Sequence, residues 1–361
     1  MTKRCEMEEM NMKNKVAVIR GGGIGPEITE ATVDVMEATG LSFDWEDVLV
    51  GGEAEEKYGH PLPQESVQKI REIGLAVKAP LIVDKMKGRL VCVHEDGSEH
   101  IYPSLNNAVR RELDLFVDPR PIRGVPGISG KYADLDVHIM REITQDVYAG
   151  IEHTIGDYAA ECTKLCTRDA VTKLTEFAFD YAIKNGRKKV SCVHKANAIS
   201  LTDGLFLKTF REVAKKYPQV ESDDYMVDAT AFFLAKDPSK FDVIVTSNQY
   251  GDILSDLAAG LAGSLGLAPG ANIGDGICVA EASHGAAPDI AGKGIVNPVA
   301  LILSGALLLR YMGCQKEAEA IEVSTREILA AGQCLTADLG GKATTKELTG
   351  EIVAAVKHYL K

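Results

Sequence analysis

Apolar runs that end in glycine or polar turns predict the clearest elements of the chain. Residues 241–245 are apolar except for Asp242 and largely β-branched. This run breaks at a Ser-Asn pair and gives way to a helical period with small residues that continues to Gly266. Near the N-terminus, Val16–Ile19 runs into the glycine-rich residues 21–25, and a helix is expected over 28–39. Each segment therefore predicts a buried strand that feeds a helix.

The same periodicities continue along the chain. Helical periods cover Gln64–Ile73, Leu165–Lys184, Gly204–Tyr217 and Val299–Tyr311, the last apolar nearly all round, and strand patterns cover Leu75–Lys78, Leu113–Val117, Val137–Met140 and Lys189–Val193. Residues 80–103 show no helical period and predict a loop or hairpin, a polar break and Tyr225–Ala235 precede the strand at 241, and turn residues dominate past Gly266. The alternation of strands and helices indicates an α/β protein, and 361 residues favour two domains.

Composition and charge narrow the classes of partner. Hydrophobic residues make up 45% and charged residues 25% of the chain, and no apolar run approaches the roughly 20 residues that span a bilayer. The first 15 residues carry Glu6, Glu8 and Glu9 and lack the apolar core of a signal peptide, which predicts a disordered leader on a cytoplasmic protein. Eight cysteines without CxxC pairs indicate reduced thiols. The net charge of −12 argues against nucleic acid, so we expect neither a nucleic-acid nor a membrane partner.

Two carboxylates lie one turn apart on the helix that follows the strand at 241. Asp252 and Asp256 are four residues apart and therefore share one helix face. In one interpretation Asp252 caps the helix and Asp256 is solvated. The flanking residues are apolar, which favours the other interpretation, in which both carboxylates hold one hard cation.

Other candidate groups leave alternatives open. The glycine-rich turn 21–25 suggests either a phosphate cradle or a tight turn before a helix that Pro26 opens, because it matches neither the dinucleotide nor the P-loop fingerprint. Lys195 follows an apolar strand, where it extends to solvent or, if it is buried near a cation, acts as a base of lowered pKa. Asp228 is a third isolated carboxylate.

Polar groups around residue 104 and three arginines predict an anion site. Ser104 and Asn106 stand at the start of a predicted helix that carries Arg110, and Arg120 and Arg141 lie beside predicted strands. Separately these arginines are typical of surface ion pairs. Together, in an acidic protein, they favour a substrate with several carboxylates, because the guanidinium fork matches that anion.

Five motifs, in order and at matching spacings, resemble one family. They are Gly23–Glu27, Tyr148–His153, His194–Asn197, Tyr250–Asp256 and His284–Gly292. From residue 16 to the C-terminus the chain resembles the isocitrate and isopropylmalate dehydrogenase family of metal-dependent β-decarboxylating dehydrogenases, and within it the NAD-dependent isocitrate dehydrogenases most.

The resemblance implies a two-domain α/β fold that is not of the Rossmann type, with the active site in the cleft between the domains. Residues 16–115 with 260–361 would form the cofactor-binding domain, and residues 116–259 the central substrate, metal and dimerisation domain. It also implies a homodimer or higher oligomer that exchanges an arm after Glu152 and shares its active sites.

The resemblance also implies roles for the candidate residues. Asp252 and Asp256, with Asp228 of the partner subunit, would hold Mg²⁺ or Mn²⁺, which suits ligands that are all oxygen. Lys195 of the partner subunit would accept the proton of the C2 hydroxyl, and Tyr148 would protonate C3 after decarboxylation. The substrate-binding set would be Ser104, Asn106, Arg110, Arg120 and Arg141.

For the cofactor, the resemblance implies an adenosine site along residues 281–297, built from Glu281, His284, Gly285, Ala287, Asp289, Ile290 and Asn297. Asp289 would meet the ribose hydroxyls, and a carboxylate there repels a 2′-phosphate, so NAD is expected rather than NADP.

Substrate identity depends on fewer residues. Ser104 and Asn106 match the isocitrate enzymes, so isocitrate is the first expectation. Basic residues of the segment 80–103 (Lys85, Lys87, Arg89, His94 and His100) replace a short family segment and either grip a larger third group or face solvent. Homoisocitrate, isopropylmalate or a phosphonate analogue are therefore alternatives, malate or tartrate lesser ones, and a non-catalytic regulatory subunit is an alternative of another class.

Overall fold

The computed structural model describes residues 14–82, 89–94, 96–128 and 130–361. Residues 1–13 of the predicted leader, and Lys85 and Lys87 of the basic segment, lie outside these residues. Within them, ten strands form one sheet: β1 (Asn14–Ile19), β2 (Phe43–Asp47), β3 (Leu75–Lys78), β6 (Val117–Arg123), β7 (Asp136–Glu142), β10 (Lys189–His194), β11 (Glu221–Met226), β12 (Val243–Thr246), β13 (Pro269–Gly274) and β14 (Ile277–Ala282). Two separate hairpins pair β4 (Leu90–Val93) with β5 (Glu99–Tyr102) and β8 (Glu152–Ile155) with β9 (Ala159–Cys162).

Eleven α-helices in the described residues cover this sheet or connect its strands. They are α1 (Gly25–Glu37), α2 (Gly52–Tyr58), α3 (Gln64–Ile73), α4 (Leu105–Glu112), α5 (Arg168–Lys184), α6 (Thr202–Ala214), α7 (Val227–Lys236), α8 (Asn248–Ala262), α9 (Val299–Met312), α10 (Gln315–Ala331) and α11 (Thr345–Tyr359). None of the helices in the described part of the chain combines the length and the apolar character that crossing a membrane requires.

The sheet is mixed, with the strand order β11-β10-β12-β7-β6-β13-β14-β3-β1-β2. Its two outer parts are parallel, and three antiparallel pairings, β7 with β6, β6 with β13 and β13 with β14, join them in the middle. The β6–β13 join is narrow, with Val117 opposite Ile273 as its one register pair. The parallel strands need helical crossovers, which explains the alternation of elements in the sequence.

Separate hydrophobic cores form on the two parts of the sheet. One core combines both ends of the chain, as in the packing of α1 (Ile28) near α9 (Leu301). Two smaller cores come from the middle of the chain, one around Phe179 and Phe210 and one around Leu254. The α/β fold class is therefore confirmed, and so is the burial of the apolar helix α9.

Most predicted elements are present with shifted ends. Gln64–Ile73 and Leu75–Lys78 match their predicted bounds, and the basic segment forms the predicted hairpin in its described part. The first strand begins at Asn14 rather than at residue 16, because Asn14 pairs with Phe43.

Six strands are missing from the prediction, namely β2, β8, β9, β11, β13 and β14, and one predicted strand is misplaced. β11 is an edge strand of mostly polar residues, and β13 contains Pro269 and two glycines, so neither shows a strand pattern, and the apolar β14 was included in the turn-rich region. The predicted strand at 113–117 is wrong because Leu113 caps α4 and Asp114 has a φ of 53°, so β6 starts where that strand was expected to end.

The glycine-rich turn before α1 has a packing role. Gly23 has a φ of 62°, and a Cβ there would lie 2.1 Å from the carbonyl oxygen of Ala286. The amide of the next residue, Ile24, donates to the same carbonyl at 2.9 Å. Pro26 lies in the first turn of the helix, as expected. Close backbone contact therefore accounts for Gly23, and this turn fixes the segment that begins at Ser283.

Candidate active site

A cleft of about 430 Å³ lies where the two parts of the sheet meet. Its walls come from the ends of β3 and β14, the start of α4, strands β6 and β7, and the first turns of α8. Ten predicted site residues line it: Ser104, Asn106, Arg110, Arg120, Arg141, Tyr148, Asp252, Glu281, His284 and Gly285. The fold therefore brings together side chains that are up to 181 positions apart in the sequence, from 104 to 285.

Two of the arginines are fixed on the paired strands β6 and β7. Arg120 donates from Nε to Asp118 at 2.7 Å and from Nη1 to the Ser255 hydroxyl at 2.7 Å. Arg141 donates from Nε to the Asn248 carbonyl at 3.0 Å and from Nη2 to its side-chain oxygen at 2.8 Å. Both arginines are almost fully buried. Their position inside strands, rather than beside them as predicted, holds the guanidinium groups in place.

The charges on these arginines interact. Burial lowers the pKa of Arg141 to about 10, and repulsion from Arg120 and Arg110 contributes to this lowering. For Arg120, burial alone would lower the pKa, but Asp118 and Asp252 raise it above its ordinary value. A buried cation whose pKa is lowered by other cations is stabilised when an anion binds. The arginine cluster is therefore suited to an anionic ligand.

A buried ion network forms a second wall of the cleft. Glu281 lies 2.5 Å from the Lys78 ammonium and 3.0 Å from Arg110 Nη2, and Arg110 Nε donates to Asn272 at 3.2 Å. Although burial would raise the pKa of Glu281, Lys78 and Arg110 hold it well below its usual range. With the arginines of β6 and β7, the described lining carries four such cations against the carboxylates of Glu281 and Asp252. This excess of positive charge also favours a polyanionic ligand.

Asp252 and Asp256 lie in the second and third turns of α8, which begins at Asn248, so Asp252 does not cap the helix. Neither carboxylate is isolated, because Asp252 contacts the Arg141 guanidinium and lies 3.5 Å from Arg120, which also lies 3.9 Å from Asp256. Burial and the nearby Asp252 raise the pKa of Asp256, although Arg120 opposes this. Two adjacent, partly exposed carboxylates, one of raised pKa, fit a hard cation.

Tyr148 projects into the cleft from a 3₁₀ turn, Val147–Ala149, and its hydroxyl donates to Asp252 at 3.1 Å. Burial and the negative charge of Asp252 raise the pKa of Tyr148, which keeps its proton in place at neutral pH. Asp146, with a φ of 68°, starts this turn. Its carboxylate accepts the amides of Val147 at 2.8 Å and Gln249 at 3.0 Å, and these bonds attach the turn to α8.

Ser104 and Asn106 lie at the N-terminus of α4. Ser104 is the N-cap residue, and its hydroxyl accepts the Asn107 amide at 3.3 Å. Both side chains are exposed in the cleft, one turn before Arg110. The start of α4 therefore offers a hydroxyl, an amide and the positive end of a helix dipole.

Two buried polar atoms at the end of β14 lack partners among the described residues. These are the Ser283 hydroxyl and Nε2 of His284, while His284 Nδ1 is near the Gly285 carbonyl at 3.1 Å. Burial lowers the pKa of His284, which favours the neutral ring. Unsatisfied buried groups at the rim of a cleft are typical of sites that bind a polar ligand. These groups fit a dinucleotide lying on this segment.

The other predicted cofactor residues lie beyond this rim. Ala287 has a φ of 36° and starts a 3₁₀ turn that carries Asp289 and Ile290, with Asp289 exposed. Asn297 is buried, donates to Asp338 at 3.0 Å and accepts the Val299 amide at 3.0 Å. None of these four predicted residues is part of the described cleft lining.

Lys195 and Asp228 also lie outside the described lining of the cleft. The Lys195 ammonium is 2.6 Å from the Asp228 carboxylate, and this bond lowers the pKa of Asp228. The Lys195 amide donates to Asp203 at 2.6 Å. A single chain therefore places the predicted base and the third predicted metal ligand together, apart from the cavity that Tyr148 and Asp252 line.

The basic hairpin contributes no described arginine or histidine to the cleft lining. Arg89 pairs with Glu152 at 2.8 Å, and His94 and His100 lie 3.0 Å apart and near Glu112. Of the two alternatives for the basic segment, the described residues of the hairpin therefore do not support a grip on a larger substrate.

Three residues of the site were not among the predictions. Lys78 ends β3 and is 3% exposed, Asp118 lies under Arg120, and Ser283 is described above. A lysine at the end of an apolar strand was a signal for Lys195, and the same signal applied to Lys78. Asp118 precedes a proline in a stretch that did not show a strand pattern.

Comparisons with known proteins identify the family of this chain. The family model for isocitrate/isopropylmalate dehydrogenase matches residues 15–354. The mitochondrial NAD isocitrate dehydrogenase catalytic subunit 5 of Arabidopsis thaliana is 43% identical over 92% of this chain and 86% of that protein. Homoisocitrate dehydrogenase of Methanocaldococcus jannaschii is 42% identical over 96% and 99%, and 3-isopropylmalate dehydrogenase of Archaeoglobus fulgidus is 41% identical over 94% and 98%.

A crystal structure of isocitrate dehydrogenase from Methylococcus capsulatus matches the fold with a TM-score of 0.87 and 42% identity, over 96% of this chain and 100% of that one. Relatives named for three different substrates thus share nearly the same sequence identity with this chain, which leaves its substrate open. The chain is therefore an oxidoreductase of the isocitrate/isopropylmalate dehydrogenase family.

Proposed function

We propose that this enzyme carries out the NAD- and metal-dependent oxidative decarboxylation of a 2-hydroxy acid with a carboxylate at C3, and that its substrate is isocitrate. The observation that carries the proposal is the cleft in which three buried arginines face Tyr148 and Asp252. Such a cluster suits a substrate with several carboxylates, and an acid and a cation site lie beside it.

Substrate recognition follows from the two walls of the cleft. Arg120 and Arg141, held on their strands, would bind the carboxylates nearest the reacting carbons, because the guanidinium fork matches that anion. Arg110, with Ser104 and Asn106 at the start of α4, would bind a third carboxylate. A substrate with only two carboxylates would leave these polar groups without a ligand, which disfavours malate and tartrate.

The reaction requires two proton transfers. When bound by Asp252 and Asp256 with Asp228 of the partner subunit, Mg²⁺ or Mn²⁺ would supply Lewis-acid polarisation of the substrate oxygens. When bound along the Ser283–Asn297 segment, NAD would accept the hydride. Lys195 of the partner subunit would take the hydroxyl proton during oxidation, and Tyr148, neutral because of its raised pKa, would return a proton to C3.

We further propose that residues 16–115 and 260–361 form the cofactor domain and residues 116–259 the substrate domain. The separate cores, one from both chain ends and two from the middle, support this division. Asp289 is exposed on its 3₁₀ turn, where its carboxylate would disfavour a 2′-phosphate. Equal kcat/KM values with NAD and NADP would contradict this assignment.

The assembly that we propose is a homodimer with shared active sites. Every residue from 151 to 163, including the β8–β9 hairpin, is exposed in the single chain, and Tyr158 is 81% exposed. The exposed Phe232 and Ile253 on α7 and α8 add further apolar surface for a second copy.

Mixing two inactive variants tests the shared site. In a hybrid dimer of Tyr148→Phe and Lys195→Met chains, one of the two clefts would contain both native groups. Random re-association would then restore about a quarter of the wild-type rate, because half of the dimers are hybrids with one intact site. If Lys195 acted within its own chain, the mixture would stay as inactive as the separate variants.

Initial rates of NADH formation test the substrate assignment. Purified protein with Mg²⁺ or Mn²⁺ would be compared on isocitrate, homoisocitrate, isopropylmalate, malate and tartrate. We expect the highest kcat/KM with isocitrate and loss of activity with a chelator. A preference for homoisocitrate would mean that the part of the cleft beside Ser104 accommodates a longer acid. A folded dimer that turns over none of these acids would favour a regulatory subunit.

A further inference from the structure

The hairpin that replaces the short family segment carries a cluster of metal-ligating groups outside the cleft. His94 and His100 lie on the hairpin, and Glu112 is the last residue of α4. One nitrogen of each imidazole and one oxygen of Glu112 lie within 4.8 Å of one another. The two histidines share a hairpin face because Cys92 pairs with His100 across the strands and His94 lies two residues beyond Cys92.

From this geometry we infer that His94, His100 and Glu112 form a zinc site that fastens the β4–β5 hairpin to the C-terminal end of α4. This inference does not depend on the proposed substrate or on the metal at Asp252 and Asp256.

The distances match tetrahedral coordination. His94 Nε2 lies 3.0 Å from His100 Nδ1 and 3.3 Å from Glu112 Oε1, and His100 Nδ1 lies 3.8 Å from the same oxygen. Zinc binds these atoms at about 2.0–2.2 Å, which places tetrahedral ligands about 3.4 Å apart. The three separations lie around that value, and the imidazole ligands favour zinc over Mg²⁺ or Ca²⁺.

The charge on Glu112 supports a bound cation. Its side chain is 5% exposed, and its carboxylate partners among the described residues are the Tyr102 hydroxyl and the two imidazoles. Arg71 donates to the backbone carbonyl of Glu112 and not to its carboxylate. A buried carboxylate is costly without a positive partner, and the C-terminal end of α4 also favours a cation.

The surroundings also have the form of a metal site. Tyr102 donates to Glu112 at 2.5 Å, the kind of bond that orients a ligating carboxylate. The His100 side chain is 52% exposed, so an ion can reach the site from solvent, and three protein ligands leave a fourth position for water. The chain runs from this hairpin directly into Ser104, so the site would hold the entrance to α4 in place.

Zinc retention by the full-length protein tests the inference. The protein would be loaded with Zn²⁺ in excess Mg²⁺, which occupies the oxygen-only site, then passed through a desalting column and analysed for metal. We expect about one zinc per chain in the wild type and in Asp252→Asn, and none in Glu112→Gln or His94→Gln. Tyr102→Phe should weaken zinc binding about 10- to 100-fold.

His60→Gln is the matched control. His60 contacts the same hairpin, with Nε2 2.8 Å from the Val91 carbonyl, and Nδ1 accepts the Leu62 amide at 3.0 Å, but it is not part of the cluster. This variant should keep its zinc, which separates loss of a ligand from loosening of the hairpin.

Cobalt provides a second readout. Co²⁺ at the cluster should give the strong visible absorption of a tetrahedral site, which Glu112→Gln should remove while its circular dichroism stays native. The inference fails if the wild type keeps no zinc in excess Mg²⁺, if zinc is lost with Asp252→Asn instead, or if Glu112→Gln keeps it.

Discussion

A methyl group added at Gly251 would displace a predicted substrate-binding arginine. Gly251 is buried where α8 crosses β7, and a Cβ there would lie 2.6 Å from Cγ and 2.8 Å from Cβ of Arg141, and 3.3 Å from its Cα. These atoms are close to the strand backbone and cannot rotate away as the end of a side chain can. Gly260, in the same helix, is exposed and has nothing within 4 Å of its added Cβ.

The pair of variants Gly251→Ala and Gly260→Ala isolates the cost of this contact. Both substitutions add up to about 1 kcal/mol to the free energy of unfolding, because alanine is a better helix former than glycine. Gly251→Ala is also destabilised by overpacking, which typically lowers the free energy of unfolding by about 1–3 kcal/mol. We therefore expect Gly260→Ala to be slightly more stable than the wild type, and Gly251→Ala to be about 1–3 kcal/mol less stable than Gly260→Ala. Urea unfolding with a common m-value measures this difference.

The same displacement should affect substrate binding. Arg141 is positioned by Asn248 and Asp252, so a shift of its stem changes where its guanidinium points. Each 1.4 kcal/mol of lost binding raises KM about tenfold, and we expect a rise of that order in Gly251→Ala and none in Gly260→Ala. Equal stability of the two variants would refute the packing argument. A stability loss with unchanged KM would refute the role of Arg141.

Three further outcomes are expected. Tyr148→Phe should slow release of the reduced product more than oxidation of the hydroxyl, as single-turnover NADH bursts would show, and loss of substrate binding would contradict its role as an acid. His138 is buried on β7, and burial lowers its pKa to about 4. Its contribution to stability is therefore complete above pH 6.5 and is lost as the pH falls towards 4, at about 2 kcal/mol between pH 7 and pH 5. The free energy of unfolding of His138→Gln, measured with urea, should not show this loss between pH 7 and pH 5. If it fell with pH as steeply as that of the wild type, His138 would not be the cause. Asp289→Lys with Ile290→Tyr should shift kcat/KM from NAD towards NADP, and an unchanged ratio would place the ribose elsewhere.

The buried parallel strands and the motif that carries Asp252 could be predicted from sequence, because an apolar run that ends in a helix has few other interpretations. β11 and β13 could not be predicted. An edge strand pairs on one side and tolerates polar residues, and the glycines of β13 are typical of turns. The ion pairs around the site could not be predicted from the sequence either. Lys78 neutralises Glu281 only after distant strands come together, and no local pattern encodes that. Asp118 neutralises Arg120, two residues away on β6, but that stretch did not show a strand pattern.

Lys195 and Asp228 show where reasoning from one chain ends. They are 2.6 Å apart, and Asp228 is largely exposed, so in the single chain they resemble a surface ion pair that contributes little to stability. The Lys216–Glu176 pair has a similar length of 2.7 Å and is an ordinary surface ion pair. In the proposed homodimer the difference would lie in a second copy, for which the exposed residues 151–163 offer a surface. Because their proposed roles need that copy, rescue of activity in hybrid dimers decides whether this pair is catalytic or only an ordinary surface contact.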